Sequence, residues 1–367
     1  MNIPLFRPRI SEEAIAAAAD VLRSGWLGLG PRTREFEESF ATYVGSPHCV
    51  GLSSCTAAIH LALHILDLPP GAEVITTPIT FVSTNHAILY ERLQPVFADV
   101  DRRTGSLDPV SVREKITDRT GAILVVHYGG YPADLDELYA IADEHGIAII
   151  EDCAHAAGAT YKGKRIGSHG RLHAFSFHAV KNLPMGDGGA LTLSSFADDD
   201  RVRRLRWLGI DKDTYRRTGE QGYHWEYDVP EVGFKCHMND IEAAIGLAQL
   251  NLLDRENGRR AEIASLYRQR LEGIPGLTLP PESADRSSSY HLFPVLVERR
   301  NDLVDHLRSN GIDAGVHYRR NDEYAMYEKT ILPGAEYFSA HTLSLPMHLD
   351  LTDEDVVRIA DVISGGW

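Results

Sequence analysis

The sequence predicts an α/β protein: a large domain on a mainly parallel seven-stranded sheet, then a smaller C-terminal α+β domain. Three observations carry this. Seven short apolar runs, at 49–52, 74–76, 96–97, 123–126, 147–150, 174–177 and 190–193, alternate with helical patterns such as 56–66 and 135–145. That alternation favours parallel strands with helices on both faces. It stops near Asp240, and 367 residues, 43% of them hydrophobic, suffice for two ordinary domains. We place the division at residues 1–240 and 241–367.

The elements follow in order. Ser11 precedes Glu12, Glu13 and an alanine-rich run closed by Gly25, which gives an N-cap, an acidic first turn and a C-terminal glycine. A short helix therefore leads into the first strand. From 240 to about 271 the pattern is one long helix or two abutting ones, with Gly246 and Gly258 as the weak points. Beyond a Pro-Pro-Glu-Ser-Ala-Asp loop come a strand at HLFPVLV, a helix at 301–308 and a strand near 316–318. No internal repeat interrupts this plan.

Composition removes several classes of function. The chain has 37 basic and 52 acidic residues, a net charge of −15, and no basic tail. A general nucleic-acid binder needs a basic stripe, so nucleic acid is not an expected partner. The longest uncharged run, 39–66, is broken by Gly45, Pro47, Gly51 and three histidines and does not read as a membrane span. The N-terminus MNIPLFRPRISEE lacks an apolar h-region, and the four cysteines form no CxxC pair. A reducing, cytoplasmic setting is expected.

Three separated segments fit one cofactor. Gly51-Leu-Ser-Ser-Cys-Thr56 lies between a strand and a helix, and a helix start with small hydroxyl residues suits a phosphate. Its plain structural reading is that Ser53, Ser54 and Thr56 only cap the helix. No GxxxxGK[ST] occurs. The second segment, Ile-Ile-Glu-Asp152-Cys-Ala-His155, puts an acid at the carboxyl edge of the sheet, where ligands of open α/β sheets bind. A carboxylate there can keep a pyridine nitrogen protonated, as pyridoxal phosphate requires. His155 either contacts that cofactor or is a satisfied structural histidine. The third segment, Phe-Ser176-Phe-His-Ala-Val-Lys181-Asn followed by Gly186-Asp-Gly-Gly189, offers a lysine beside a glycine-rich turn. Enclosure would lower its pKa and allow Schiff-base formation; otherwise Lys181 is a surface lysine and the glycines a tight turn.

In the order phosphate cup, acid, lysine, these segments point to pyridoxal phosphate. SGWLGLGPRTREFE, SSCTAAIHLAL, TTPITFVST, HYGGYPADLDEL, IIEDCAHAAGATYKGKRIGSHG, AFSFHAVKN, GDGGAL, NDIEAAIGLAQL and GIDAGVHY carry a resemblance over nearly the whole chain. The sequence resembles the DegT–DnrJ–StrS family of nucleotide-sugar aminotransferases, and most of all the branch that aminates C4 of UDP-linked 4-keto sugars. The resemblance implies the pyridoxal-phosphate-dependent transferase fold type I. It implies that Lys181 forms the Schiff base and shuttles the proton, that Asp152 partners the pyridine nitrogen, and that His155 lies near the ring hydroxyl. Phe81 would stack on the ring, and Cys55, Thr56 and Ser176 would bind the phosphate. Lys235, or its rival His237, would reach the phosphate from the partner subunit of an obligate homodimer. His317 and Tyr318, with Trp26 in a loop at the substrate mouth, would meet the substrate. Two departures stand out. Arg319-Arg-Asn-Asp replaces the usual proline and histidine after GVHY, and Cys55 occupies a place where Gly or Ala is common.

The expected activity is therefore transfer of an amino group from glutamate, or glutamine, to a nucleotide-linked keto-sugar, at C4 of a UDP- or dTDP-4-keto sugar. Alternatives are C3 or another keto-sugar or cyclitol, a dehydratase on the same cofactor, and a non-catalytic regulator. Dehydratases of the family tend to carry His where this chain has Lys181. No metal is expected: His60 and His64 have i, i+4 spacing but no evident third ligand, and His169, His173 and His178 are loosely placed. The basic run 201–206 reads as a solvated helix face.

Overall fold

In a computed structural model the structure describes residues 2–212 and 225–367, with the backbone of 218–219 and 222–223. The leading helix α1 is Glu12–Ser24, with Ser11 Oγ accepting from Ala14 N at 3.1 Å and Gly25 at φ 78° as its C-cap. After α2 (Pro31–Val44) the chain alternates: β1 His48–Leu52, α3 Cys55–His64, β2 Glu73–Thr76, α4 Val82–Tyr90, β3 Gln94–Phe97, α5 Pro109–Lys115, β4 Thr120–Val126, α6 Leu135–His145 and β5 Ala148–Asp152. Two short strands, β6 Thr160–Tyr161 and β7 Lys164–Arg165, precede β8 Leu172–Ser176, β9 Gly189–Leu193 and α7 Phe196–Leu205.

The seven expected strands form one sheet in the order β1-β9-β8-β5-β4-β2-β3. The run β8-β5-β4-β2-β3 is parallel, and β9 alone reverses between β8 and β1. Apolar side chains leave both faces: Leu124 and Val126 of β4 pack with α3 and α4, whereas Ile123 and Val125 pack with α6. That two-sided burial explains why these strands read as unbroken apolar runs rather than alternations.

The C-terminal part has its own apolar cluster, including Tyr267, Phe293, Val295, Leu303 and Ile359, which also takes in Ile3. The long helical pattern is two helices, Asp240–Leu250 and Leu253–Leu271, broken at Asn251–Leu252 and not at either glycine. Residues 316–318 form no strand. The slots beside the strand Phe293–Val297 are filled by the fully buried Thr342–Leu345 on one side and Leu277–Thr278 on the other. Gly315 makes only an isolated bridge to Ser344.

The basic run at 201–206 also departs from expectation. Arg206 is 4% exposed and pairs with the buried Glu37, and Arg203 reaches the other Glu37 oxygen at 2.5 Å and Cys49 O at 2.8 Å. Glu37 accepts from Gly51 N at 2.8 Å while Arg206 donates to Gly51 O at 2.8 Å. The charges that looked solvated therefore clamp the end of β1. Removing one partner of a buried pair leaves an uncompensated charge, so Glu37→Ala is expected to cost about 3–5 kcal/mol in urea unfolding.

Candidate active site

The carboxyl ends of β4, β5 and β8 place Val126, Asp152 and Ser176 side by side, with Val126 paired to Asp152 in register. They open into a cavity of about 390 Å³. Asp152 is almost fully buried. Its Oδ2 accepts from Thr84 Oγ1 at 2.8 Å and its Oδ1 from Ala154 N at 3.1 Å, with Cys55 Sγ at 3.8 Å. Thr84 spends its proton on Asp152, so Thr80 Oγ1, 2.8 Å away, donates to Thr84 in turn. Burial pushes the Asp152 pKa up, and the Thr84 hydroxyl, the Ala154 N–H and Lys181 oppose that rise.

Lys181 lines the same cavity on the loop between β8 and β9. The loop is pinned by Lys181 N to His178 O (2.8 Å), Ala179 N to Gly186 O (2.9 Å) and Met185 N to Phe177 O (2.9 Å). Desolvation lowers the Lys181 amine to about 8, against the opposing pull of Asp152 and Cys55. The glycines here do more than turn. A Cβ on Gly189 would lie 2.3 Å from the Ser54 carbonyl carbon, so its absence lets β9 pass directly against the start of α3.

At that start Ser54 is the N-cap, accepting from Ala57 N at 3.1 Å, and Cys55, Thr56 and Ser176 line the cavity beside it. Opposite lies a stack of rings. His155 Nδ1 accepts from Gly129 N at 3.2 Å, so the neutral ring carries its proton on Nε2 and donates to Tyr318 Oη at 3.2 Å. Burial, with Lys181 and His317 nearby, holds His155 well below its ordinary pKa and therefore neutral. His291 stacks on His155 at 4.3 Å, Phe6 stacks on His291 at 5.8 Å, and Phe81 leans toward Tyr318 at 6.1 Å. Burial pushes His317 down to about 4, and its Nδ1 meets Ser344 Oγ at 2.9 Å.

The fold thus gathers Lys181, Asp152, His155, Phe81, Cys55, Thr56, Ser176, His317 and Tyr318 around one cavity. Lys235 and Trp26 do not line it. Lys235 Nζ sits 3.3 Å over the Trp207 ring, His237 packs edge-on against that ring at 4.4 Å, and Trp26 Nε1 donates to Leu29 O at 3.2 Å. Sequence reasoning missed Thr84, His291 and Asp187, which also line the cavity. Thr84 had a signal, a hydroxyl in the first turn of a helix directly after Phe81. His291 had none, because the strand it precedes carries no motif. The expected ordinary role of His60 and His64 is joined by a third group: Glu91 Oε1 lies 2.6 Å from His60 Nε2 and 3.1 Å from His64 Nδ1.

A cavity-lining lysine of lowered pKa and a buried acid, at the carboxyl ends of a mainly parallel sheet, define an α/β enzyme equipped for group transfer. Residues 8–364 match the DegT/DnrJ/EryC1/StrS aminotransferase family, and the chain belongs to it. The spore coat polysaccharide biosynthesis protein SpsC of Bacillus subtilis is 38% identical over 374 residues, 98% of this chain and 96% of SpsC. The sugar aminotransferase CalS13 of Micromonospora echinospora is 36% identical, with TM-score 0.93 over 100% of both chains. Spr1654 of Streptococcus pneumoniae, solved in a PLP form, is 31% identical, with TM-score 0.92 over 100% of this chain and 98% of that one.

The lowered pKa has a direct consequence. Only the neutral amine is nucleophilic, so labelling of Lys181 in the ligand-free protein by trinitrobenzenesulfonate should rise through about pH 8 and then level off. Peptide mass spectrometry across pH 6–11 would check this; a rise centred above pH 10, as for surface lysines, would contradict it.

Proposed function

We propose that this enzyme is a pyridoxal-phosphate-dependent sugar aminotransferase. It takes the amino group of glutamate and passes it to a nucleotide-linked keto-sugar, at C4 of a UDP- or dTDP-4-keto sugar. The observation that carries the reading is the presence of Lys181 and Asp152 in one cavity beside the small-residue cup at the start of α3. The donor set fits the cofactor: an acid for its ring nitrogen, an amine for its aldehyde, and at Cys55, Thr56 and Ser176 a cradle that a Cβ on Gly189 would crowd. When bound, the cofactor supplies an electron sink for the substrate carbon that loses a proton.

The chain's own residues do the rest. Asp152 would hold the proton at the ring nitrogen, its two oxygens fixed by Thr84 and the Ala154 N–H. Lys181 would take a proton at Nζ from the amino donor and return it; an amine with a pKa of about 8 is suited to both near neutral pH. His155, whose Nε2–H donates to Tyr318 Oη, would lie near the ring hydroxyl, and Phe81, 58% exposed at the cavity wall, would cover the ring and exclude water. His317 and Tyr318 are assigned to the sugar substrate, whereas Trp26, expected at the substrate mouth, lies outside the cavity lining.

We assign Lys235 of the partner subunit to the phosphate, in a homodimer. Trp225 and Val232, 72% and 86% exposed and shortly before Lys235 in the sequence, would give that dimer an apolar surface to bury. Residues 1–240 would form the cofactor domain and 241–367 the smaller one. Among the described residues no helix is long and apolar enough to cross a membrane, and we place the enzyme in the cytoplasm. A lysine at position 181 favours amino transfer over dehydration.

Purified protein should be yellow, and borohydride should fix the cofactor on the peptide containing Lys181. Lys181→Ala should lower amino transfer by about 10²–10⁴-fold; wild-type rates in that variant would refute the mechanism. Incubation with glutamate should release one equivalent of 2-oxoglutarate, whereas release with glutamine alone would reassign the donor. Thr84→Val should cut turnover about 10–100-fold by leaving a buried Asp152 oxygen unpartnered, and Thr84→Ser should restore most of it.

A further inference from the structure

We propose that a second cavity, separate from the one holding Lys181, binds a nucleoside phosphate. At about 440 Å³ it exceeds the catalytic cavity's 390 Å³ and lies in the size range of small-molecule sites. It opens between the turn Tyr128–Gly130 of the large sheet and the segment at 280–294. Gly129 is the partition: it lines this cavity while its N–H holds His155 in the other.

The chemistry of the lining is cationic and aromatic. Three guanidiniums, of Arg103, Arg268 and Arg286, face a single lining carboxylate, Glu282. Arg286 is already engaged by Asp134 at 2.7 Å and Asp285 at 2.8 Å. Arg268 pairs with Glu282 at 2.9 Å, but the Glu282 side chain is 64% exposed and free to yield to a better anion. Arg103 has no ion-pair partner among the described residues. A phosphate bridging Arg103 and Arg268 would gain charge-assisted hydrogen bonds that Glu282 supplies to only one of them.

Tyr131 and Tyr290 supply partly exposed ring surface for a flat base. Tyr290 is held at φ 49°, a left-handed conformation uncommon for a bulky residue, with its N–H donated to Ser288 Oγ at 3.0 Å. Strained backbone of this kind concentrates at ligand sites. An anionic group joined to a flat, hydrogen-bonding ring satisfies both halves of the lining, and a nucleoside monophosphate is the simplest such molecule.

The assignment stands independently of the amino-transfer reading. The test is calorimetric titration of the full-length, cofactor-loaded protein with uridine 5′-monophosphate, uridine and inorganic phosphate. It is repeated on Arg103→Glu and on His317→Ala, which alters only the catalytic cavity. One class of nucleotide site per chain should weaken about tenfold or more in Arg103→Glu and persist in His317→Ala. Uridine and phosphate should each bind at least about tenfold less tightly than the nucleotide. The proposal fails if the nucleotide does not bind at millimolar concentration, or if its only site is lost in His317→Ala and kept in Arg103→Glu. It fails equally if inorganic phosphate or uridine alone binds as tightly, since half of the lining would then be idle. Arg103 is exposed, so Arg103→Glu should fold, and an unchanged circular dichroism spectrum would verify it.

Discussion

The site depends on a charge that the fold would otherwise reject: the Asp152 carboxylate at the end of β5. Taking an ionised carboxylate out of water costs several kcal/mol unless hydrogen bonds and an opposite charge offset it. Here the offset comes from three directions: Thr84 on α4, the Ala154 N–H just beyond the strand, and Lys181 on the β8–β9 loop. β5 lies between β4 and β8 in the sheet, so its carboxyl end is the point where those three elements can meet. Its neighbour Glu151 is fully buried on the opposite face, bonded to His127 Nε2 at 2.9 Å and to Tyr139 Oη at 2.5 Å. His173 and His127 hold Glu151 well below the ordinary carboxylate range. A one-residue slip of β5 would exchange the two acids between faces and strip both of their partners. The pair therefore fixes the register that brings Asp152 to the cavity.

A second constraint shapes the turn from β1 into α3. Gly51, next to last in β1, has its N–H on Glu37 and its carbonyl on Arg206. Ser53 N then donates to Cys236 O at 2.8 Å before Ser54 caps α3. Charge spent in this clamp is charge that does not face the ligand. Despite a net charge of −15, the only carboxylates lining the cavity among the described residues are Asp152 and Asp187, with the Lys181 amine beside them and His155, His291 and His317 held neutral by burial. Most of the chain's surplus acid therefore lies away from this cavity.

Much of this was legible in the sequence for a physical reason: parallel strands buried on both faces are long apolar runs, and ligand-facing groups of an open sheet sit at or just beyond their carboxyl ends. Asp152 and Lys181 could be found because each follows such a run. What a one-dimensional pattern does not hold is the partner. Residues 316–318 look like a strand, yet Thr342–Leu345 pairs with Phe293–Val297 instead. Arg203 and Arg206 look solvated because Glu37, more than 160 positions earlier, leaves no trace in their neighbourhood. The break at Asn251–Leu252 lies away from both glycines, since Gly246 is kept by packing: a Cβ there would lie 2.0 Å from Met185 Cε.

The departure after GVHY shows the same distinction at the site itself. Read as sequence, Arg319-Arg-Asn-Asp puts substrate recognition by His317 in question. In the fold, Arg320 and Asp322 are a buried pair joined at 3.0 and 2.6 Å, and Asn321 is fully buried between them. Asn321 N donates to Pro78 O at 2.9 Å, its Nδ2 donates to Thr80 O at 2.7 Å, and its Oδ1 accepts from Asn85 Nδ2 at 3.1 Å. Those contacts hold the segment from which Phe81 projects and from which Thr80 reaches Thr84, and Thr84 reaches Asp152. The unusual residues thus act from behind the cavity wall, tying the C-terminal part of the chain to the loop that orients the buried acid. His317 and Tyr318, only a few residues earlier, are left at the cavity surface, so a change of motif at 319–322 alters how the wall is anchored without removing these two groups from the cavity lining.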